Sequence, residues 1–230
     1  MTALAVKSRQ ALKPRKSLDE LLANSSKVKT QLSTLSSLDK LLIVILDTSG
    51  SMNDYIENQK KINVAWSVLQ DKLAKNMNGW SYGILMFKSP GWDSSESVSW
   101  LIRPTDSTGR LMSTLRPQAN ASTPILAALE KAWSFVSCNK VQSRIILLSD
   151  GCPTDCTDDT LLVTVGDHKN IPIDTIGIGN SRGSYNESLL RSLSNITGGV
   201  FCKADSIKLL ESTIEKLSPA KRKLIGTVNG

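Results

Sequence analysis

Leu41-Leu-Ile-Val-Ile-Leu-Asp-Thr-Ser-Gly-Ser-Met52 decides how this chain is read. Six apolar residues, Leu41 to Leu46, run without a polar break into Asp47. An unbroken apolar run of strand length predicts a β-strand buried on both faces, as in the middle of a parallel sheet. The polar cluster behind it then falls at the carboxyl end of a central strand, where open α/β sheets place their ligands. Asp47 brings a carboxylate, Ser49 and Ser51 bring two hydroxyls, and Gly50 lets the backbone curl. These are all hard oxygen donors, which suit Mg²⁺, Mn²⁺ or Ca²⁺.

Outward from this stretch, strands and helices alternate. Residues 54–76 carry Ile62, Ala65, Trp66, Val68, Leu69 and Leu73 at helical spacing. Trp80 to Phe87 reads as a second strand and Ser97 to Ile102 as a short edge strand, joined by a hairpin loop through Ser89-Pro-Gly-Trp-Asp-Ser-Ser-Glu96. Residues 106–115 predict a short helix around Leu111, Met112 and Leu115, and Pro124 opens a longer one that runs through Phe135. Arg144 to Ser149 is another apolar strand, and it leads into Asp150-Gly151. Helix over Thr160 to Gly166, strand over Ile171 to Ile178, helix over Asn186 to Asn195, strand over Gly199 to Lys203 and helix over Ser206 to Leu217 complete the pattern. The expected fold is α/β: a doubly wound, mostly parallel six-stranded sheet with one short antiparallel edge strand and helices on both faces.

Charge separates the body from the ends. Residues 1–37 hold seven Lys/Arg against two Asp/Glu, and residues 216–230 hold four basic residues and no acid, whereas residues 38–215 carry a net charge of −2. The net charge of +7 therefore belongs to the ends and gives the domain itself no nucleic-acid-binding character. Residues 1–16 are expected as a basic disordered tail. Ser17-Leu-Asp-Glu20 is a capping-box pattern and starts an expected amphipathic helix over 17–37, with Leu18, Leu21, Val28, Leu32 and Leu35 as its stripe. The domain is expected over 38–217, with a basic tail over 218–230. No apolar run approaches the roughly 20 residues of a membrane span. The basic start has no apolar core of a signal peptide, and reduced thiols are the expected state of Cys138, Cys152, Cys156 and Cys202, which together predict a cytoplasmic protein.

Three strand-end loops carry the oxygen ligands: Asp47, Ser49 and Ser51 in the first, Thr123 in the second, and Asp150 in the third. Serine, threonine and aspartate also cap helices, but capping does not require three loops to agree. Two carboxylates and three hydroxyls suit an octahedral cation with one position open to a carboxylate of another molecule. Taken together, these residues resemble a von Willebrand factor A domain. Asp47-Thr-Ser-Gly-Ser51 matches that family's D-x-S-x-S metal-ion-dependent adhesion site, Thr123 its separate threonine, and Asp150 in Leu147-Leu-Ser-Asp-Gly-Cys-Pro-Thr-Asp155 the aspartate of its fourth strand. Ile173-Asp-Thr-Ile-Gly-Ile-Gly179 and Gly198-Gly-Val-Phe201 resemble its last two strands, so the likeness runs over about residues 40–217. Ala121-Ser-Thr123 stands where many members have Gly-Gly-Thr, which stiffens the loop and removes no ligand. The resemblance is greatest to the intracellular prokaryotic branch, including stand-alone tellurium-resistance-type members. It implies a Mg²⁺ that recruits a Glu or Asp of a protein partner, and a last helix whose movement couples to the site.

Around the metal, Met52, Trp92 and Pro153 are expected to form an apolar rim. Two other functions compete with a binding module. A metal-dependent phosphohydrolase would use the same carboxylates, but no nucleophile has an adjacent base and no glycine-rich phosphate loop with its lysine occurs. His168 is the only histidine and lies far from Ser49 in the pattern, so no Ser-His-Asp triad is expected. Cys152 and Cys156 lack further soft ligands for a zinc site. Nucleic-acid or surface binding through the basic tails would weaken steeply with salt and would not need a metal.

Overall fold

The computed structural model describes residues 40–89, 96–150, 152–179 and 185–219. The expected tail over 1–16, the helix over 17–37 and most of the tail over 218–230 lie outside the described residues, as does Trp92.

The apolar run forms β1 (Lys40–Leu46), with Leu41 through Leu46 fully buried. It is followed by a 3-10 turn (Gly50–Asn53), the two-residue strands β2 (Tyr55–Ile56) and β3 (Gln59–Lys60), and α1 (Lys61–Asn76). Then come β4 (Ser81–Phe87), β5 (Val98–Thr105), α2 (Thr108–Ser113), α3 (Ile125–Asn139) and β6 (Gln142–Ser149). The last described elements are α4 (Asp158–Asp167), β7 (Ile173–Ile178), α5 (Glu187–Ile196), β8 (Phe201–Ala204) and α6 (Ile207–Leu217).

Six strands form one sheet in the order β5-β4-β1-β6-β7-β8, all parallel except the β4–β5 pair. Strand alternation divides the core. Leu42, Val44 and Leu46 face a layer with Ile62, Trp66, Leu69 and Leu73 of α1 and Leu210, Ile214 and Leu217 of α6. Leu41, Ile43 and Ile45 point to the opposite face, where α3, α4 and α5 bury Leu129, Ala132, Leu161, Val165, Leu190 and Leu193. Each such side chain withdrawn from water contributes about 1.5–3 kcal/mol. Side-chain caps start the later helices: Asn186 Oδ1 accepts from Leu189 N at 3.1 Å, and Ser206 Oγ accepts from Leu209 N at 3.3 Å.

The structure corrects three local expectations. Residues 54–60 are not helical. Glu57 and Asn58 adopt φ of 47° and 65°, which turns β2 back on β3 before α1 starts at Lys61. The edge strand is longer than expected, since Pro104 is tolerated where no further strand needs its amide. Its pairing shifts register around Gly83, where a Cβ would come within 2.7 Å of the Trp100 ring. The short helix is α2 alone, with Leu111 buried but Leu115 85% exposed.

Candidate metal-ion site

β1 and β6 are neighbours at the centre of the sheet, and the chain leaves them in opposite directions, to β4 on one side and β7 on the other. That switch point opens a crevice at their carboxyl ends. Asp47 follows β1 and Asp150 follows β6, and the Asp47 amide donates to Leu148 O at 3.0 Å, which fixes the two loops against each other.

A chain of polar contacts crosses the crevice. Asp47 Oδ1 accepts from the Ser49 amide at 2.7 Å, and Asp47 Oδ2 accepts from Ser149 Oγ at 2.5 Å. Ser49 Oγ lies 2.9 Å from Ser51 Oγ. Ser51 Oγ donates to Asp150 Oδ1 at 2.6 Å. Asp150 Oδ2 in turn accepts from Lys61 Nζ at 2.6 Å. Asp47 is fully buried, Ser49 and Asp150 nearly so, while Gly50 and Ser51 are exposed. The crevice thus has buried carboxylates and a mouth at the tip of the first loop. Burial pushes the Asp47 carboxyl up to about 6; the hydrogen bonds from Ser149 and Ser49 pull it down, and the Asp150 charge adds to the rise.

Thr123 is more than nine-tenths buried, and its backbone ties it to the third loop. Its amide donates to Thr154 Oγ1 at 3.0 Å, and its carbonyl accepts from the Thr154 amide at 3.0 Å. Just before it, Asn120 and Ala121 donate their amides to Thr48 O, and Gly50 donates to Ala121 O. The second loop is therefore stitched to both others. All five sequence-predicted residues lie on these three joined loops, and four of them share one hydrogen-bonded chain.

The expected rim is only partly placed. Met52 is a correction: the 3-10 turn swings it inward, it is fully buried, and it belongs to the core with α1 and α6. Pro153 is half-buried, on the loop that follows Asp150. His168 ends α4 and stacks on Trp133 at 3.9 Å between ring centroids, away from the crevice.

Sequence reasoning missed three contributors. Ser149 supports Asp47 from behind. Asp155 caps α3, with Oδ2 accepting from the Ala127 amide at 2.9 Å, and so ties the third loop to the helix that follows Thr123. Lys61 is the most consequential. Two consecutive lysines at a helix start oppose the helix macrodipole, and that misplaced charge was the available signal of a buried carboxylate partner.

Among the described residues no three His, Cys, Asp or Glu side chains gather as a metal cluster, so any cation here would depend on hydroxyls as much as on carboxylates.

A six-stranded, mostly parallel sheet with its polar loops joined at the central switch point defines a doubly wound α/β class. Residues 42–153 match the family model for the von Willebrand factor type A domain. The chain is 28% identical over 189 residues to the human von Willebrand factor A domain-containing protein 3A, a match that takes in 78% of this chain and 15% of that protein. This chain thus spans a small part of that relative's length. Among solved structures, the pilus adhesin SpaC of Lactobacillus rhamnosus GG superposes with a TM-score of 0.62 at 14% identity, over 77% of this chain and 30% of that one. The ArnB paralog VWA2 of Sulfolobus acidocaldarius gives 0.56 at 23% identity, over 80% and 46%. The PilB minor pilin of Streptococcus sanguinis gives 0.60 at 13% identity, over 82% and 61%. At these identities the solved structures share the fold.

Proposed function

We propose that this domain is a divalent-metal-dependent protein-interaction module rather than an enzyme, with Asp47, Ser49, Ser51, Thr123 and Asp150 holding a Mg²⁺ whose open position takes a Glu or Asp of a partner. The observation that carries the reading is the continuous chain from Asp47 through Ser49 and Ser51 to Asp150 at the carboxyl edge of β1 and β6. The donor set fits a hard cation: it is all oxygen, it contains two buried carboxylates, and burial disfavours the ionised form of Asp47 until a cation compensates it. Mn²⁺ or Ca²⁺ fits the same donors. Bound there, the metal supplies the largest local charge and a Lewis-acidic position for an outside carboxylate.

The protein's own residues do the positioning. Ser149 and the Ser49 amide orient Asp47, Thr154 holds the Thr123 loop, and Ser51 stands at the exposed mouth. Pro153, with Trp92, remains the candidate for apolar contact beside the metal. The named functions of the fold relatives SpaC, an adhesin, and PilB, a pilin, agree with a binding role. An intracellular adaptor or assembly subunit is the setting we favour. In support, Cys138, Cys152, Cys156 and Cys202 are free thiols, as a reducing compartment leaves them.

Calorimetric titration with Mg²⁺, followed by capture of cellular partners in Mg²⁺ against EDTA, tests the proposal. Mg²⁺ binding that disappears in Asp47→Ala, together with capture lost in EDTA, supports it. Capture undiminished in EDTA overturns it.

A further inference from the structure

Among the described residues, Lys61 is the charged side chain bonded to the crevice carboxylates that the metal-site reading leaves unused. It is 4% exposed, begins α1, and donates to Asp150 Oδ2 at 2.6 Å. Its other acidic neighbour, Asp54 at 3.8 Å, has a side chain 72% exposed, where solvent screens its charge. A buried ammonium at a helix start is unfavourable on two counts, desolvation and the macrodipole. Its place is explained by what it does for Asp150.

We propose that Lys61 is a built-in counter-cation that sets the charge of the metal site and thereby makes the loaded site selective for a single carboxylate. The proposal rests on the metal-site reading given above. Asp47 and Asp150 bring two negative charges and Lys61 one positive. A divalent cation leaves this buried group at +1, and one incoming carboxylate neutralises it. Without Lys61 the loaded site is already neutral, and an anion gains far less by entering a low-dielectric crevice. Lys61 also holds Asp150 by Oδ2, which leaves Oδ1 to accept from Ser51, the exposed residue at the mouth. The same charge opposes the metal. Lys61 therefore exchanges metal affinity for partner affinity: it weakens the hold on Mg²⁺ and strengthens the demand for an outside acid.

Three variants separate charge from support. Lys61→Met removes both, Lys61→Gln keeps a hydrogen-bond donor without the charge, and Lys61→Arg keeps the charge. The probes are Mg²⁺ by calorimetry and acetate on the Mn²⁺-loaded protein, the latter read by paramagnetic relaxation of the acetate methyl protons. Lys61→Gln and Lys61→Met are expected to bind Mg²⁺ about tenfold more tightly and acetate severalfold more weakly than the parent, with Lys61→Arg close to it. Should Lys61→Met fail to fold, Lys61→Gln carries the test. Unchanged or weaker Mg²⁺ binding in Lys61→Gln overturns the proposal and shows an orienting role only; unchanged acetate binding overturns it equally. A parent protein that takes up no Mg²⁺ defeats the metal-site reading instead, so the two failures are distinct.

Discussion

Two buried carboxylates lie at opposite ends of the same sheet, each paired with one cation, and they are built differently. Asp174, near the amino end of β7, is gripped by Arg144 through two bonds, Nε to Oδ2 at 2.6 Å and Nη2 to Oδ1 at 2.9 Å, and also accepts from the Val200 amide at 2.8 Å. Asp150, beyond the carboxyl end of β6, has one ammonium and one serine hydroxyl. A planar guanidinium fork fits a carboxylate and fills its lone pairs, whereas an ammonium is a point charge with freedom to reorient. The first pair is a closed clasp between strands. The second lies beside an exposed mouth at the sheet's switch point. The sheet thus uses the same acid–base chemistry for cohesion at one end and, on our reading, for exchange at the other.

The largest effect that could break this contrast comes from removing each cation in turn. Without metal, Arg144→Met and Lys61→Met each leave a buried carboxylate uncompensated, and each is expected to lower the unfolding free energy by about 3–5 kcal/mol. Urea titrations in EDTA measure this. Saturating Mg²⁺ is expected to restore Lys61→Met and to leave Arg144→Met as unstable as before. Equal responses to Mg²⁺ would erase the distinction between clasp and site.

The next effect concerns the carboxylate nearest the sheet. Mg²⁺ at a hundred times its dissociation constant should stabilise the parent protein by about 2.7 kcal/mol. In Asp47→Asn this increment is expected to vanish, while the metal-free protein unfolds no earlier than the parent, because a neutral amide carries no desolvated charge. Thermal melts with and without Mg²⁺ check both halves of the prediction.

The contrast also marks which parts of the molecule were legible in the sequence. The strands β1 and β6 are read from their apolar runs, and α5 and α6 lie where helices over Asn186 to Asn195 and Ser206 to Leu217 are expected. The residues we propose as ligands are equally plain, since Asp47, Ser49, Ser51, Thr123 and Asp150 each end or precede a recognisable element. What escaped was tertiary. Met52 sits among polar neighbours and reads as surface, yet the 3-10 turn buries it. The β2–β3 hairpin is too short for any periodicity, and Glu57-Asn58 lacks the glycine that usually marks its turn. Lys61 finds its acid 89 positions away, a contact that no local pattern encodes.

A smaller effect tests how firmly the open end is held. Asp155→Ala removes the acceptor for the α3 amides and is expected to cost about 1 kcal/mol, the usual worth of a cap. Because α3 begins just after Thr123, Mg²⁺ binding should weaken as well. A variant at the clasp, Arg144→Met, is expected to lose stability with its Mg²⁺ affinity intact. Calorimetry on the two variants compares a loss that reaches the site with one that does not.

The smallest effect reads the electrostatics beside that loop. Burial pushes the Cys156 thiol up to about 11, and the carboxylates of Asp155, Asp158 and Glu130 add to the rise. Only the thiolate reacts with an alkylating reagent. At pH 8 the thiolate is therefore roughly a thousandth of the Cys156 population, against roughly a quarter for an ordinary thiol of pKa 8.5. Iodoacetamide labelling followed by peptide mass mapping should find Cys156 modified far more slowly than the exposed Cys138. The rate should climb with pH toward 11, since deprotonation is what limits it. Asp155→Ala removes the nearest negative charge, so the same variant that loosens α3 should quicken Cys156 labelling. A rate unmoved by that substitution would mean that burial alone raises the thiol, and that the acidic character of the third loop does not extend to Cys156.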